Sequence, residues 1–453
     1  MPANILNLSG YRVLAVKETE HDYHIKAETD SPAGLCPACN SRDVVGYGRI
    51  EVLVHDLAMH GKRVGIYVDA RRLRCKGCSK TFMETLPSVN PNRWMTNRLV
   101  KWIGPQSLRR TFTSIAEEVG VTEGTIRNVF SDHVNDLERS VRFETPIWMG
   151  IDEIHITGQP RAVISNLKNN TAVNLLPNRL KKTVAAYLAG LAGKEDVRYV
   201  AIDMWDQYRD AVHEVLPGAT VVVDKFHVQR MGNNALDEFR RSLGRDHSSD
   251  AMRRKVAGVK KDLYLFRKRE RDLSERERLL LSGWLNNIPE LAEAYQLKEA
   301  YYDIYEASTK QEAGARFDDW ARRVGPELRP AFAPILSAWR NWRPQILAYF
   351  DHRITNAFTE SLNNLIRVMN RLGRGYSFEA LRAKILFTEG VHKSQKARPR
   401  FERRRETLGD GMMGRAAPSM SLYMGFQHDE PEAEKNYGAD ISTLTRLIEE
   451  GKL

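Results

Sequence analysis

Residues 147–153 read Ile147-Trp148-Met149-Gly150-Ile151-Asp152-Glu153, an apolar run closed by acids. The pattern recurs downstream, where Val200-Ala201-Ile202 ends in Asp203 and Val221-Val222-Val223 ends in Asp224. Short apolar runs rich in β-branched residues and bounded by polar ones read as buried strands. On that basis strands fall near 147–152, 161–166, 171–175, 197–203 and 220–224, with helices near 180–192 and 207–216. Three consecutive strands followed by helix–strand alternation predict a mixed sheet whose first three strands form a meander. An acid at the end of such a strand is costly to desolvate unless something compensates it. A shared divalent cation is the compensation this pattern favours.

A third acid, Glu360, lies in a helix-period segment at 355–369. Phe358, Leu362, Leu365, Ile366 and Met369 recur at helical spacing on one side, while Asn356, Glu360, Asn363 and Arg367 share the other. Glu360 is therefore expected to point away from the apolar stripe. It reaches a cleft if the helix packs beside the sheet edge where the strand-borne acids end.

The chain has 453 residues, 42% of them hydrophobic, which predicts two to four domains with real cores. Its formal charge of +11, from 69 Lys and Arg against 58 acids, favours a polyanionic partner but carries weight only beside motifs. The start, Met1-Pro2-Ala3-Asn4-Ile5-Leu6, has no charged leader with an apolar core, and no apolar run reaches the roughly 18 residues a bilayer needs. A soluble, cytoplasmic protein without a membrane partner is expected. There is no G-x-x-x-x-G-K-[ST] phosphate loop.

All four cysteines fall in two pairs, Cys36-Pro37-Ala38-Cys39 and Cys75-Lys76-Gly77-Cys78. Two such knuckles supply the four sulfur ligands of a structural Zn²⁺. The run Arg63-Val64-Gly65-Ile66-Tyr67-Val68 between them predicts a hairpin, hence a zinc ribbon; redox dithiols are the plainer alternative. Arg74, Lys76 and Lys80 partly offset the thiolate charge.

Residues 114–133 read as helix, turn, helix. Ser114-Ile115-Ala116-Glu117 has capping-box form, Gly120 supplies a turn, and Thr122 caps a second helix running to about His133. In a DNA-binding pair of this kind the second helix enters the major groove, which places Glu123, Thr125, Arg127 and Asn128 near bases or phosphates. An ordinary helical hairpin is the alternative.

Residues 230–350 are rich in helix formers, with basic clusters at 253–261 and 267–269 and tryptophans at 284, 320, 339 and 342. They predict an all-helical insertion. Basic residues and an aromatic there suit a clamp on DNA ends, although buried core tryptophans and solvated charge runs are the default. The stretch 396–405 holds six basic residues and one acid, and is read equally as a phosphate-binding arm or a solubilising tail.

Taken together, Gly150-Ile151-Asp152-Glu153, Ala201-Ile202-Asp203-Met204-Trp205-Asp206-Gln207-Tyr208, Val223-Asp224-Lys225-Phe226-His227, Asn356-Ala357-Phe358-Thr359-Glu360-Ser361-Leu362-Asn363 and Arg371-Leu372-Gly373-Arg374-Gly375-Tyr376 resemble the DDE transposases of the bacterial insertion-sequence IS-L-three family. The order of zinc finger, helix-turn-helix and catalytic core is similar to that family too, and the resemblance spans about residues 36–390. It implies a multidomain α+β protein: zinc ribbon at 1–90, helix-turn-helix at 91–140, a ribonuclease H-like core at 141–230 and 351–392 interrupted by a helical insertion at 231–350, and a basic tail at 393–453.

The resemblance further implies an enzyme that cleaves and joins DNA with Mg²⁺ or Mn²⁺ held by Asp152, Asp203 and Glu360. Carboxylates suit such hard cations, and two ions about 4 Å apart serve an in-line displacement. Asp203 is preferred over Asp224 because in a ribonuclease H-like sheet its strand lies directly beside the first, whereas the strand of Asp224 is one place, about 4.8 Å, farther out. Asp224 and His227 then resemble an accessory D-x-x-H motif, with a helix cap or polar filler as the alternative role for His227. Glu153, Asp206 and Asp210 are read as solvated or supporting acids. DNA contacts are expected from Thr125, Arg127, Asn128, Arg367, Arg371 and Arg374. The expected function is recognition of the element's terminal inverted repeats, cleavage and strand transfer, by a homodimer or higher assembly on double-stranded DNA. A non-catalytic regulator derived from a transposase is the alternative, and a structure-selective nuclease fits the acids but not the sequence-reading modules.

Overall fold

A computed structural model describes residues 6–30, 32, 34–246 and 250–390 of the chain. The stretch 396–405 and the whole of the expected tail, 393–453, lie outside these residues.

The N-terminal module is built from β1 (Tyr11–Glu18), β2 (Asp22–Thr29), β3 (Val44–Met59), β4 (Lys62–Cys75), β5 (Thr81–Met83), β6 (Val89–Asn90) and β7 (Met95–Thr96). They form one sheet in the order β1-β2-β4-β3-β7-β6, with β5 on β4. Period-two alternation explains its buried face: Tyr23, Ile25 and Ala27 of β2 pack with Val64, Ile66, Val68 and Ala70 of β4. The expected hairpin is the β3–β4 pair. Its two-residue turn uses His60 and Gly61 at φ 51° and 77°, the positive values that tight hairpin turns require.

Three helices follow, α1 (Asn97–Arg109), α2 (Phe112–Val119) and α3 (Glu123–Ser140). Each is capped by a threonine whose side chain accepts from the helix backbone: Thr96, Thr111 and Thr122. The α2 start expected from a capping box at Ser114 is corrected. Thr111 is the cap, and Ser114 lies inside the helix, where its backbone N–H bonds Thr111 Oγ1 and its hydroxyl accepts from Arg110. Gly120 closes α2 at φ 74°, as expected of a turn glycine. The second helix runs past His133 to Ser140.

A second sheet comprises β8 (Trp148–Ile156), β9 (Gln159–Asn166), β10 (Thr171–Leu175), β11 (Tyr199–Ile202) and β12 (Thr220–Val223), with α4 (Lys181–Ala189) and α5 (Asp206–Val215) between β10, β11 and β12. Its order is β10-β9-β8-β11-β12, an antiparallel meander extended by two parallel strands on the β8 edge. The strand that ends before Asp203 lies directly beside the strand that carries Asp152, and the strand before Asp224 is one place out.

Between β12 and the Glu360 helix every regular element is helical: α6 (Lys225–Asp246), α7 (Asp250–Gly258), α8 (Leu263–Arg267), α9 (Glu275–Asn287), α10 (Pro289–Asp303), α11 (Lys310–Arg323) and α12 (Arg329–His352), with short 3₁₀ turns. Trp320, Trp339 and Trp342 are buried and Trp284 is half-buried, the default core role for tryptophan. The insertion is continuous with the core, since α12 packs against β12 and α6. The chain then returns through α13 (Ala357–Gly373) and α14 (Phe378–Glu389).

Alternation along β8 separates two cores. Met149 and Ile151 face α4, α5 and the helical insertion. Ile154 and Ile156 face the other way, into a cluster with Leu362 and Ile366 of α13, Leu381 and Leu386 of α14, and Ile103, Phe112, Ile115 and Phe130 of the helix-turn-helix module. The three N-terminal helices, the five-stranded sheet and the last two helices thus share one apolar core. No helix among the described residues is long and apolar enough to cross a membrane.

Candidate functional site

The parallel register pairs Ile151 with Ile202 and Ile202 with Val223, so Asp152, Asp203 and Asp224 follow at one level on three neighbouring strands. They do not share one environment. Asp152, Asp203, His227 and Glu360 line a polar cleft of about 360 Å³, with Glu153, Arg230, Asn363, Asn364 and Arg367 completing the wall. Asp224 does not line it; its side chain is 0% exposed, against 27% for Asp203 and 42% for Glu360.

His227, in the first turn of α6, stands among these acids. Its Nδ1 lies 2.7 Å from Asp203 Oδ1 and 3.5 Å from Asp224 Oδ2, and its Nε2 lies 4.0 Å from Glu360 Oε1. The contact with Asp203, then that with Asp224, pushes the imidazole up to about 10, so it carries a positive charge. These are ion pairs rather than well-directed hydrogen bonds, since Asp203 Oδ1, Asp224 Oδ2 and His227 Nδ1 are buried without a hydrogen-bonding partner. Burial, and then the Asp203 charge, push Asp152 up to about 7. Orphaned carboxylate oxygens and a mutually repelling acid pair suit a hard divalent cation. Ligand atoms of Asp224, His227 and Glu360 also lie within 4.8 Å of one another.

Two features of α13 position the site. Its first turns rest on β8 and β9 through a buried polar network: Asn356 donates to Ile151 O at 3.3 Å, Thr359 to Asn356 Oδ1, and the Ser165 and Thr359 hydroxyls are 2.6 Å apart. Gly150 makes room for it, because a Cβ there would fall 2.5 Å from both hydroxyls. One turn on, Asn363 Nδ2 donates to Asp152 Oδ2 at 2.8 Å. The expected division of this helix is therefore corrected. Asn356 and Asn363 are buried and face the sheet, whereas Leu365 is exposed. The helix lies across the face of β8 and β9 rather than beside an edge, so polar groups compete successfully for its contact stripe.

The remaining expected residues are scattered. Arg367 lines the cleft and donates to Asn364 at 2.8 Å, while Arg371 and Arg374 are exposed at the far end of α13. Glu153 pairs with Arg179, and Asp206 and Asp210 pair with Arg209. In α3, Asn128 is exposed, and Thr125 is half-buried beside the Thr122 hydroxyl. Arg127 turns back, its guanidinium 4.9 Å over the Phe112 ring and bonded to Glu123. Asn363, Arg230 and Gly150 were not assigned site roles from sequence; the spacing of Glu360, Asn363 and Arg367 by three and four residues was the available signal for the first.

The four cysteines converge. Sγ atoms of Cys36 and Cys78 are 3.6 Å apart, those of Cys39 and Cys75 are 3.5 Å apart, and all four lie within 4.8 Å. Sulfurs about 2.3 Å from one Zn²⁺ in a tetrahedron are about 3.8 Å from each other, so the set fits. The Ala38 N–H helps bring the Cys36 thiol down to about 6.

Comparison with known proteins matches three segments of the chain to transposase family models. A family model described as transposase, of the ISL3 DDE type, matches residues 149–385. The zinc-finger of transposase IS204/IS1001/IS1096/IS1165 matches 32–78, and the helix-turn-helix domain of transposase family ISL3 matches 84–134. The chain is 26% identical over 310 residues to the transposase for insertion sequence element IS1557 of Mycobacterium tuberculosis, covering 62% of this chain and 69% of that one. It is 21% identical over 347 residues to the transposase for insertion sequence element IS1001 of Bordetella parapertussis, covering 76% and 85%.

Proposed function

The chain belongs to transposase family ISL3, and from that premise we propose that it binds the terminal inverted repeats of its element and catalyses metal-dependent DNA cleavage and strand transfer. The convergence of Asp152, Asp203 and Glu360 in one cleft carries this reading. We assign the metal ligands to these three rather than to Asp224, because Asp224 is enclosed behind His227 and presents no oxygen to the cleft. Bound Mg²⁺ or Mn²⁺ would supply activation of an attacking oxygen and stabilisation of a leaving one.

The protein's own groups do the rest. Asn363 fixes the Asp152 carboxylate, and the His227 imidazolium offsets Asp203 and the enclosed Asp224. Arg230 and Arg367 put positive charge on the cleft wall, where a scissile phosphate needs it. The zinc arm and the exposed N-terminal part of α3, with Thr125 and Asn128, recognise the end. Two ends brought together require at least a dimer on double-stranded DNA.

The test is cleavage of labelled DNA carrying the ends that flank the gene, with Mg²⁺, with Mn²⁺ and with chelator. Metal-dependent nicking at the element boundary, absent in Asp152→Asn, supports the proposal. Specific binding without cleavage in any metal would leave the non-catalytic regulator as the better reading.

A further inference from the structure

Arginines of the N-terminal sheet fall into two groups. Arg12, Arg49, Arg63 and Arg71 are each paired with a carboxylate. Arg72 and Arg74 have no carboxylate partner among the described residues. Both are exposed, and their guanidinium carbons lie 5.9 and 5.7 Å from the centre of the Tyr47 ring, which is itself 51% exposed.

The local backbone explains the grouping. Val45 pairs with Arg74 across the β3–β4 ladder, and Arg72 and Arg74 point to one side of their strand because side chains alternate. The register shifts between Gly46 and Arg49, with Gly48 at φ 102°. A bulge of this kind re-aims a neighbouring side chain, here Tyr47, toward the two arginines. Two like charges held over one ring repel each other, and the ring face returns only part of that cost. An anion with two or more charges at adjacent positions satisfies both guanidiniums.

We propose that Tyr47, Arg72 and Arg74 form a DNA-backbone contact on the zinc arm, the two arginines taking neighbouring phosphates and the tyrosine ring packing against the deoxyribose between them. The inference rests on the DNA-end-binding reading above and adds a specific surface to it. Here β4 is paired on one side with β3 and on the other with β5, Arg72 opposite Met83 and Arg74 opposite Thr81, so the patch sits on the face of a three-stranded arm and meets phosphates lying across that face. The zinc knuckles at the open end of the β3–β4 pair stiffen the ribbon that presents the patch.

The experiment is fluorescence anisotropy of the full chain on labelled duplex, with and without the element ends, over a series of salt concentrations. Each phosphate contact adds about 0.9 to the slope of log affinity against log salt. Arg72→Gln/Arg74→Gln is expected to lower the slope by about 1.8 and to weaken binding at least roughly tenfold near 0.1 M salt. Tyr47→Ala weakens binding with the slope unchanged. Arg12→Gln, which removes a paired arginine of the same sheet, leaves both as in the wild type.

Zinc content and melting temperature are measured for every variant. A double variant that keeps the wild-type slope overturns the proposal, as does one that loses zinc while keeping the slope, since the arginines then serve only to balance the thiolates. If the wild type does not prefer the element ends to unrelated duplex, end recognition fails instead. A slope change on unrelated duplex still upholds the patch.

Discussion

Asn363 donates from Nδ2 to Asp152 Oδ2 at 2.8 Å and to Glu153 O at 3.3 Å, between residues 211 and 210 positions apart in the chain. The helix that brings Glu360 to the cleft therefore also orients the carboxylate opposite. Groups that hold a ligand in place typically matter about 10–100-fold in metal affinity or activity. Asn363→Ala is expected to lower the cleavage rate by that order with DNA affinity retained. Single-turnover cleavage alongside anisotropy reads both, and wild-type rates in Asn363→Ala would remove the positioning role.

Asp203 and Asp224 are predicted to fail differently. Asp203→Asn abolishes metal-dependent cleavage with a smaller net change in stability, because it removes the nearest counter-charge of His227 and, with it, the charge that repels Asp152. Asp224→Asn keeps part of the cleavage but lowers the melting temperature by several degrees, because a buried imidazolium loses one of its two nearest counter-charges. Activity surviving in Asp203→Asn and lost in Asp224→Asn would transfer the ligand role to Asp224.

The acid cluster sets a pH dependence of stability. Asp152 rises from 3.8 to about 7 on folding, so the folded state binds more protons than the unfolded one between those values, and stability falls as pH climbs through that window. His227 rises from 6.5 to about 10, and its contribution, complete below 6.5, is lost as pH climbs toward 10. Metal-free protein should thus melt at progressively lower temperature from pH 5 to pH 9. Asp152→Asn should flatten the lower part of that decline, and Mn²⁺ should raise the melting temperature more at pH 8 than at pH 5. A pH-independent melting temperature between 5 and 9 contradicts the linkage.

Lys384 of α14 is buried 4.6, 5.5 and 4.7 Å from the ring centres of Phe112, Phe130 and Tyr376, and it donates to the carbonyls of Ser107 and Arg110. It pins the end of α1 to the catalytic half. Lys384→Met takes this donor from the buried Ser107 carbonyl, at about 1–3 kcal/mol, while the Arg110 carbonyl keeps the Tyr376 hydroxyl at 3.4 Å. The expected outcome is a lower melting temperature and faster proteolysis between α1 and α3. Unchanged melting would show that the lysine is dispensable to the junction.

Removing zinc tests the N-terminal module separately from the catalytic cleft. A chelator strong enough to strip the four thiolates should unfold the arm around β3 and β4, because metal binding there is folding free energy. End binding is then lost and is restored by Zn²⁺ but not by Mg²⁺. End binding that survives complete loss of zinc would separate recognition from the arm.

Much of this protein was legible in its sequence because its signals are local. The strands from β8 to β12 follow apolar runs, the thiolates follow two C-x-x-C pairs, and the order of strands places Asp203 beside Asp152. What escaped depends on contacts between distant segments. Asn356 and Asn363 sit on a helix face that reads as polar and hence solvated, yet the sheet offers Asn356 the space at Gly150 and the Ile151 carbonyl, and offers Asn363 the Asp152 carboxylate. Ser114 matches a cap by spacing, but Thr111 starts the helix three residues earlier. Arg127 is placed outward by helical period, and the Phe112 face turns it inward.

The apolar core shared by Ile103, Phe112 and Phe130 with Leu362, Ile366 and Leu381 has a consequence for how such a gene decays. A copy interrupted before α13 loses its last carboxylate and, in the same event, the packing partners of its reading helices. On the proposed function, such a copy is expected to be a fragment open to proteolysis and not a stable decoy on the element ends.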